Sequence, residues 1–451
     1  MAENVRIVTE HFEHEDLHML EGYRRLGGYE ALKKVLSNWE PEAVIEEVKK
    51  ANLRGRGGAG FSAGLKWSFV PKGLAKPKYL CVNADEGEPG TFKDKLLMER
   101  CPHRLMEGIV IASYAVGIKH AYIYIRGEFV TQAITVQKAV DEAYANNLLG
   151  ENILGSKFSL EVTVHRGAGA YICGEETGLI SSLEGCKGQP KLKPPFPAVE
   201  GAFGCPTVVN NVETLCFVPW IINRGADEFL KYGSEKNPGT RMFCISGHVN
   251  TPGVFELPMG TPVRELIYTY GGGIPGDKKL KAVIPGGASA PWLTPDQIDV
   301  GADFDQLRAA GSMGGSGGII VMDETVCAVK AVTRITKFFA HESCGQCTPC
   351  REGTDWAYKI FYRILQGKGT EYDLKLLENV CNGMVGKTIC VLADAAAGPI
   401  LCVIKKFRSD FDRYLSAGFE PEKPSLVDLA QLSHGEGRQV TEPEPSHQQN
   451  A

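Results

Sequence analysis

Apolar residues across 40–52 (EPEAVIEEVKKAN) recur at helical spacing and lead into a glycine-rich stretch, after which short apolar runs alternate with longer amphipathic ones. The pattern predicts strands at 79–83, 121–126 and 159–165, with helices near 104–116 and over 131–146 between them. Strands alternating with helices of this length predict a wound α/β sheet. From 241 to about 285 the rhythm shortens to MFCISGHV, GVFEL, PVRELIYTYG and LKAVIP, short strands around one helix, which fits a small α+β module of β-grasp type. Beyond Glu324 the periodicity is helical, over 325–341, 354–365, 373–382 and 396–415, and predicts a helical bundle. The expected organisation is therefore residues 1–54 as an N-terminal extension with helices, 55–240 as an α/β domain, 241–323 as the β-grasp-like module, 324–418 as the bundle and 419–451 as a polar, disordered tail.

Composition narrows the function classes. With 451 residues and 43% hydrophobic content, the chain can bury several cores. A net charge of -5 without a dense Lys/Arg block offers no footprint for a phosphate backbone, so nucleic acid is not an expected partner. The longest apolar stretch, 109–118, is too short to span a bilayer, and the acidic start (MAENVRIVTEHFEHEDLHML) fits neither a secretory signal nor a transit peptide. A cytoplasmic chain that reaches a membrane through partners is expected. The 14 cysteines are scattered except at one place, so that cluster reads as metal or redox chemistry.

That place is C-G-Q-C-T-P-C, with Cys344, Cys347 and Cys350 at two-residue intervals. Structural zinc usually divides its ligands between two pairs, whereas three ligands on one loop can wrap three corners of a [4Fe-4S] cluster and leave the fourth to a distant residue; a redox disulfide is the remaining reading. Pro349 is expected to stiffen the loop and to stop it continuing as helix. Cys381 and Cys402 sit within helical patterns, where a packed thiol is the default. Cys390 follows the glycine-bearing connection NGMVGKTIC and is the preferred fourth ligand. V-G-K-T at 385–388 lacks the leading glycine of a P-loop, because Cys381 stands there.

Gly55, Gly57 and Gly60 satisfy G-x-G-x-x-G but follow a helical pattern rather than a strand, so the dinucleotide fingerprint fails its context test. The five glycines Gly55, Gly57, Gly58, Gly60 and Gly64 still expose backbone N–H groups to a phosphate or flat ring, with Arg56 and Lys66 as positive charge. The first predicted strand ends in A-D-E-G-E-P-G-T, crowding Asn83, Asp85, Glu86 and Glu88 at the sheet edge where α/β ligands bind. These carboxylates could ligate a metal, bind ribityl or ribose hydroxyls, or be solvated. A second turn, H-R-G-A-G-A-Y-I-C-G-E-E-T at 165–177, offers Gly167, Gly169 and Gly174, Tyr171 as a stacking surface, and Glu175 and Glu176 opening a helix.

GRGGAGF, NADEGEPGT, GAGAYICGEET, KPPFPA, NNVET and ESCGQCTPCREG, in this order, closely resemble the NADH-binding subunits of respiratory complex I, over about residues 20–415. The resemblance implies an FMN in a Rossmann-like domain, a β-grasp domain and a helical bundle carrying one [4Fe-4S] cluster. It implies FMN contacts from Gly55, Arg56, Gly57, Lys66, Asn83, Asp85, Glu86, Tyr171, Gly174, Glu175, Asn210, Asn211 and Thr214. It implies NADH over the flavin against Phe61, Lys66, Phe69, Glu88, Glu176 and Phe196, and cluster ligation by Cys344, Cys347, Cys350 and Cys390. Hydride passes between cofactors, so no catalytic acid is expected. The implied partners are a thioredoxin-like [2Fe-2S] subunit and a large multi-cluster iron–sulfur subunit, with the assembly peripheral on the cytoplasmic side of the plasma membrane. Carboxylates along the nucleotide turns predict a preference for NADH over NADPH. The diaphorase subunit of a soluble NAD-linked hydrogenase or formate dehydrogenase shares these motifs but often carries an added N-terminal ferredoxin segment, whereas GRGGAGF here begins at 55. A zinc-stabilised bundle on a nucleotide-binding scaffold is the reading from a different class, and visible colour separates it from a flavin and a cubane.

Overall fold

A computed structural model describes residues 5–415; the expected tail at 419–451 lies outside them. The first sheet is four parallel strands, β1 (Tyr79–Ala84), β2 (His120–Ile125), β3 (Glu161–Arg166) and β4 (Thr207–Asn211), in the order β3-β2-β1-β4. The chain winds outward from β1 through β2 to β3 and then returns to place β4 beside β1. Strand order thus reverses between β1 and β4, and the crevice beyond their carboxyl ends is where a doubly wound sheet takes its ligand. Leu80, Val82 and Ala84 are buried on β1, and the helices Pro102–Val116 and Val212–Arg224 cover one face of the sheet with residues such as Ile109, Leu215 and Phe217.

The second sheet is mixed. Its strands β5 (Thr240–Gly247), β6 (Gly253–Pro258), β7 (Leu280–Ile284) and β8 (Gly318–Asp323) lie in the order β6-β5-β8-β7, with β5 and β8 parallel and both outer pairings antiparallel. Neither β4 of the first sheet nor the central strand β8 was expected: TVVNN and GIIVMD are short runs with no alternation, the second preceded by glycine and serine.

The last unit is helical, built from Ala328–Glu342, Thr348–Arg363, Glu371–Met384, Leu392–Lys406 and Arg408–Leu415. Two expectations need correction. The periodic stretch 396–415 is two helices that break at Phe407, whose φ and ψ of -123° and 37° leave the helical region. Pro349 does not keep the cysteine loop from becoming helix; it stands at the first turn of Thr348–Arg363, where a missing N–H breaks no hydrogen bond.

Residues ahead of the first sheet are fastened to the second. The carboxylate of Glu256, on β6, accepts from the backbone N–H groups of Ile7 (2.9 Å), Val8 (3.0 Å) and Thr9 (2.8 Å) and from the Thr9 hydroxyl (2.7 Å).

Candidate functional site

A cavity of about 360 Å³ opens at the carboxyl ends of β1 and β4, the reversal point of the first sheet. It gathers Gly57 and Gly58 from the first glycine loop, Asn83, Asp85, Glu86 and Glu88 from the acidic turn, Tyr171, Gly174 and Glu175 from the second turn, and Asn211 from the end of β4. The preceding helix Pro41–Lys50 and following helix Ala63–Ser68 confirm that the glycine loop is not a strand-to-helix turn.

The three carboxylates of the acidic turn do different work. Glu86 caps the helix Lys93–Arg100, accepting from the N–H groups of Lys93 (2.8 Å), Asp94 (2.9 Å) and Lys95 (3.0 Å), the donors that a helix start leaves unpaired. Glu88 accepts from the Tyr171 hydroxyl (2.6 Å) and from Ser289 N (2.7 Å) and Oγ (2.6 Å), tying the acidic turn to the second turn and to the β-grasp module. Burial nevertheless holds Glu88 above the usual carboxylate range. Asp85 keeps one oxygen, Oδ2, buried with no hydrogen-bond partner, and burial raises its carboxyl to about 7. These buried roles exclude a solvated turn.

Glu175 caps the helix Glu176–Leu183 through Thr177 N (2.8 Å) and Gly178 N (2.9 Å). Glu176 meets Lys193 Nζ at 2.7 Å and Lys66 Nζ at 3.5 Å. Burial works to raise its carboxyl, but the two lysines outweigh burial and hold it below the usual range. Lys193 also reaches Glu175 at 3.0 Å, so this second turn is charge-balanced rather than bare carboxylate.

Other expected residues stand outside the cavity wall. The Arg56 guanidinium is fully buried and donates to the carbonyls of Arg54, Pro238 and Thr240, so its charge serves the loop's anchorage; its N–H donates to the Thr214 hydroxyl at 2.9 Å. Gly55 N donates to Phe61 O at 2.8 Å and closes the glycine loop, while Gly64 packs against Lys49, where a Cβ would lie 2.5 Å from the backbone nitrogen. Gly60 adopts φ +66° beside the Phe304 ring. Asn210 accepts from Trp67 Nε1 (2.8 Å), and Lys66 donates to Val209 O (3.1 Å). Gly167 lies against Tyr124 and Gly169 against Glu128. Phe61, Phe69 and Phe196 are exposed, the first two with ring centroids 6.0 Å apart.

The cavity's remaining walls were missed. Gly286, Ser289, Met313, Gly315 and Ser316 come from the β-grasp module, and Val391, Leu392 and Ala395 from the bundle. The stretches IPGGASA and SMGGSGG carried a signal, since glycine there lets backbones approach: Gly315 has φ +39°, and a Cβ on it would overlap the Gly286 carbonyl.

Cys390 lies on the loop before Leu392–Lys406 and also lines the cavity. Burial pushes its thiol up to about 11, with further upward pressure from Cys350 and Cys344. Burial likewise raises Cys350, which Cys344 and Cys347 push further. Each of these sulfurs thus feels its neighbours' charge. Ile389 N donates to Cys347 Sγ at 3.4 Å, and the Cys350 thiol pairs with the Ser343 hydroxyl at 3.3 Å. Cys381 is fully buried within its helix and Cys402 Sγ donates to Trp292 O at 3.3 Å. One zinc ion, with Zn–S near 2.3 Å, would draw its thiolates to roughly 3.8 Å of one another. Among the described residues no three of these sulfurs lie within 4.8 Å of each other, a wider spacing than one zinc ion would impose.

Residues 48–220 match the family model of the Nuo51 FMN-binding domain, 330–414 that of the NADH-ubiquinone oxidoreductase-F iron-sulfur binding region, and 242–291 that of the SLBB domain. The NADH-quinone oxidoreductase F 2 subunit of Rhizobium meliloti (strain 1021) is 55% identical over 397 residues, 88% of this chain and 94% of that protein. The chain belongs to the family of NADH-quinone oxidoreductase F subunits. The member from Mycobacterium bovis is 49% identical over 93% of this chain and 96% of its own. An NAD+-reducing [NiFe]-hydrogenase in the H2-reduced state shares the fold with a TM-score of 0.78 at 34% identity, across 94% of this chain and 71% of that one. The α/β, β-grasp and helical-bundle architecture is thus that of the family, and its cofactors are FMN and a [4Fe-4S] cluster. The residues present fit both groups: bare glycine backbone and an unpartnered Asp85 oxygen suit a flat ring with a hydroxylated chain, and the wide thiol nest suits a cubane.

Proposed function

We propose that this chain is the NADH-oxidising subunit of a multi-subunit NADH:quinone oxidoreductase, taking hydride from NADH and sending electrons singly toward quinone through partner subunits. The observation that carries this reading is Cys390, one residue that both lines the flavin-sized cavity and belongs to the thiol nest, so two redox centres share a wall. When bound, FMN accepts two electrons as hydride and can release them one at a time, which joins a hydride donor to one-electron clusters. The chain's residues position and exclude. Gly57 and Gly58 admit the cofactor against backbone, Asp85 and Asn83 offer acceptors and donors to its hydroxyls, and Tyr171 braces Glu88 on the opposite wall. Gly55, Gly60, Gly64, Gly167, Gly169, Arg56, Asn210 and Thr214 hold the loops that carry those groups. Exposed Phe61, Phe69 and Phe196, with Lys66 and Glu176, would receive the dinucleotide. Cys344, Cys347, Cys350 and Cys390 would ligate the cluster.

No helix among the described residues is long and apolar enough to cross a membrane. Membrane association would run through the complex on its cytoplasmic side, with a thioredoxin-like [2Fe-2S] subunit and a large multi-cluster subunit as neighbours. The 34% identity to a hydrogenase chain supports the soluble diaphorase as the second reading, and the 49–55% identities to quinone-reductase relatives favour the first. The test is anaerobic addition of NADH to the FMN- and cluster-loaded protein. Bleaching of the flavin followed by the reduced-cluster EPR signal is expected; flavin reduction with a cluster that stays oxidised would remove the shared-wall argument. Pull-down from the native cell then separates the two readings, since quinone-reductase subunits and a hydrogenase catalytic subunit are mutually exclusive companions.

A further inference from the structure

Away from the cavity and the thiol nest, we propose that His11, Glu13 and His14 form a binding site for one zinc-class divalent cation. One ligand atom from each side chain lies within 4.8 Å of the other two, the only such grouping of His, Cys, Asp or Glu among the described residues. The three residues are brought together by two consecutive turns, in which Phe12 N donates to Thr9 O (3.2 Å) and His14 N donates to His11 O (3.0 Å). His11 takes φ +74°, in the left-handed region that is uncommon for a non-glycine residue. Its surroundings are explicit. The Glu256 carboxylate pins the backbone of Ile7, Val8 and Thr9 below the turn, and Arg100 Nη2 donates to Phe12 O at 2.9 Å above it. The ligand turn is thus held at both ends before any ion arrives, which lowers the ordering needed on binding.

Donor chemistry selects the ion. Two imidazoles and one carboxylate suit zinc and its neighbours, whereas magnesium and calcium favour all-oxygen sets. Glu10 Oε1 lies 3.9 Å from His11 Nε2 and adds negative charge beside the site. Three protein ligands leave room for water, and His11 borders a cavity of about 400 Å³ that can supply it.

The experiment uses protein loaded with flavin and cluster, so that the cysteine thiolates are occupied, freed of divalent ions and titrated with Zn²⁺ alone. Wild type is expected to take up one zinc per chain that Mg²⁺ at the same concentration does not displace. His11→Ala/His14→Ala should weaken that uptake at least about tenfold with flavin content and cluster absorbance unchanged. Glu13→Gln, which alters no backbone contact, should weaken it in the same direction. No zinc uptake by wild type, equal uptake by wild type and double variant, or displacement by Mg²⁺ would each overturn the site.

Discussion

Replacing Asp85 with asparagine should stabilise the flavin-free protein, and more so as pH rises. Asp85 Oδ2 is buried without a hydrogen-bond partner, and burial lifts the carboxyl from an ordinary 3.8 to about 7. Because the folded-state value is raised, the fold favours the protonated form. The penalty for a charged Asp85 is absent below the ordinary value, grows as pH rises, and is complete above about 7. At full ionisation the difference corresponds to roughly 4 kcal/mol, and water entering the open cavity reduces it. Between about pH 5.5 and about pH 8.5 the penalty grows by about 2 kcal/mol, and that increment is the quantity to measure. Any constant effect of burying an amide cancels from it. Urea unfolding of flavin-free wild type and Asp85→Asn at the two pH values provides the assay. The stability advantage of the variant should be larger at the higher pH by about 1–2 kcal/mol. Saturating FMN should shrink the increment, because ribityl hydroxyls would donate to the orphaned oxygen. A pH-independent difference, or an advantage that falls with pH, would refute the reasoning.

Metal and flavin analysis of anaerobically purified protein should find about one FMN and about four irons per chain; zinc in place of iron would contradict the cubane. Cys390→Ala should abolish the reduced-cluster EPR signal and retain flavin, because the alanine removes one sulfur from a wall built mainly by other residues; loss of the signal in Cys381→Ala or Cys402→Ala instead would move the ligand assignment. Tyr171→Phe removes a hydroxyl that donates to the Glu88 carboxylate at 2.6 Å and should lower stability by about 1.5–3 kcal/mol in thermal or urea unfolding. NADH should be strongly preferred to NADPH in kcat/KM with ferricyanide as acceptor, and Glu176→Gln should narrow the ratio mainly by improving NADPH. Lys66 and Lys193 already balance that carboxylate, so the effect should fall well short of the roughly 4 kcal/mol that two unshielded like charges about 4 Å apart would give.

Local patterns revealed the parts of this molecule that depend on neighbours in sequence. Three of the four parallel strands, the acidic turn after β1, the Glu175 helix start and the loop position of Cys390 all follow from periodicity and punctuation, and the structure has them; β4 does not, and its strand character comes from pairing with β1. What stayed hidden depends on long-range closure. β8 is an apolar run whose strand character comes from lying between β5 and β7. Ser289 reaches the cavity because Glu88, 201 positions away, accepts from it, and Gly315 because its backbone packs on Gly286; no local window contains either pair. Arg56 reads as a phosphate-binding cation beside glycines, yet three backbone carbonyls claim its guanidinium, and carbonyl groups leave no trace in residue identity.

The Glu256 carboxylate also sets an order of events during synthesis. Val8 and Glu256 are 248 positions apart, so residues 7–9 leave the ribosome long before the acceptor for their N–H groups exists. At roughly 5–20 residues per second, that interval lasts about 12–50 seconds. During it the first sheet can wind and pack and Arg104 can donate to Ile7 O, but the N–H groups of residues 7–9 lack their native acceptor until β6 has been made. A nascent chain stalled before residue 256 should therefore be cut near Thr9 more readily than the finished chain.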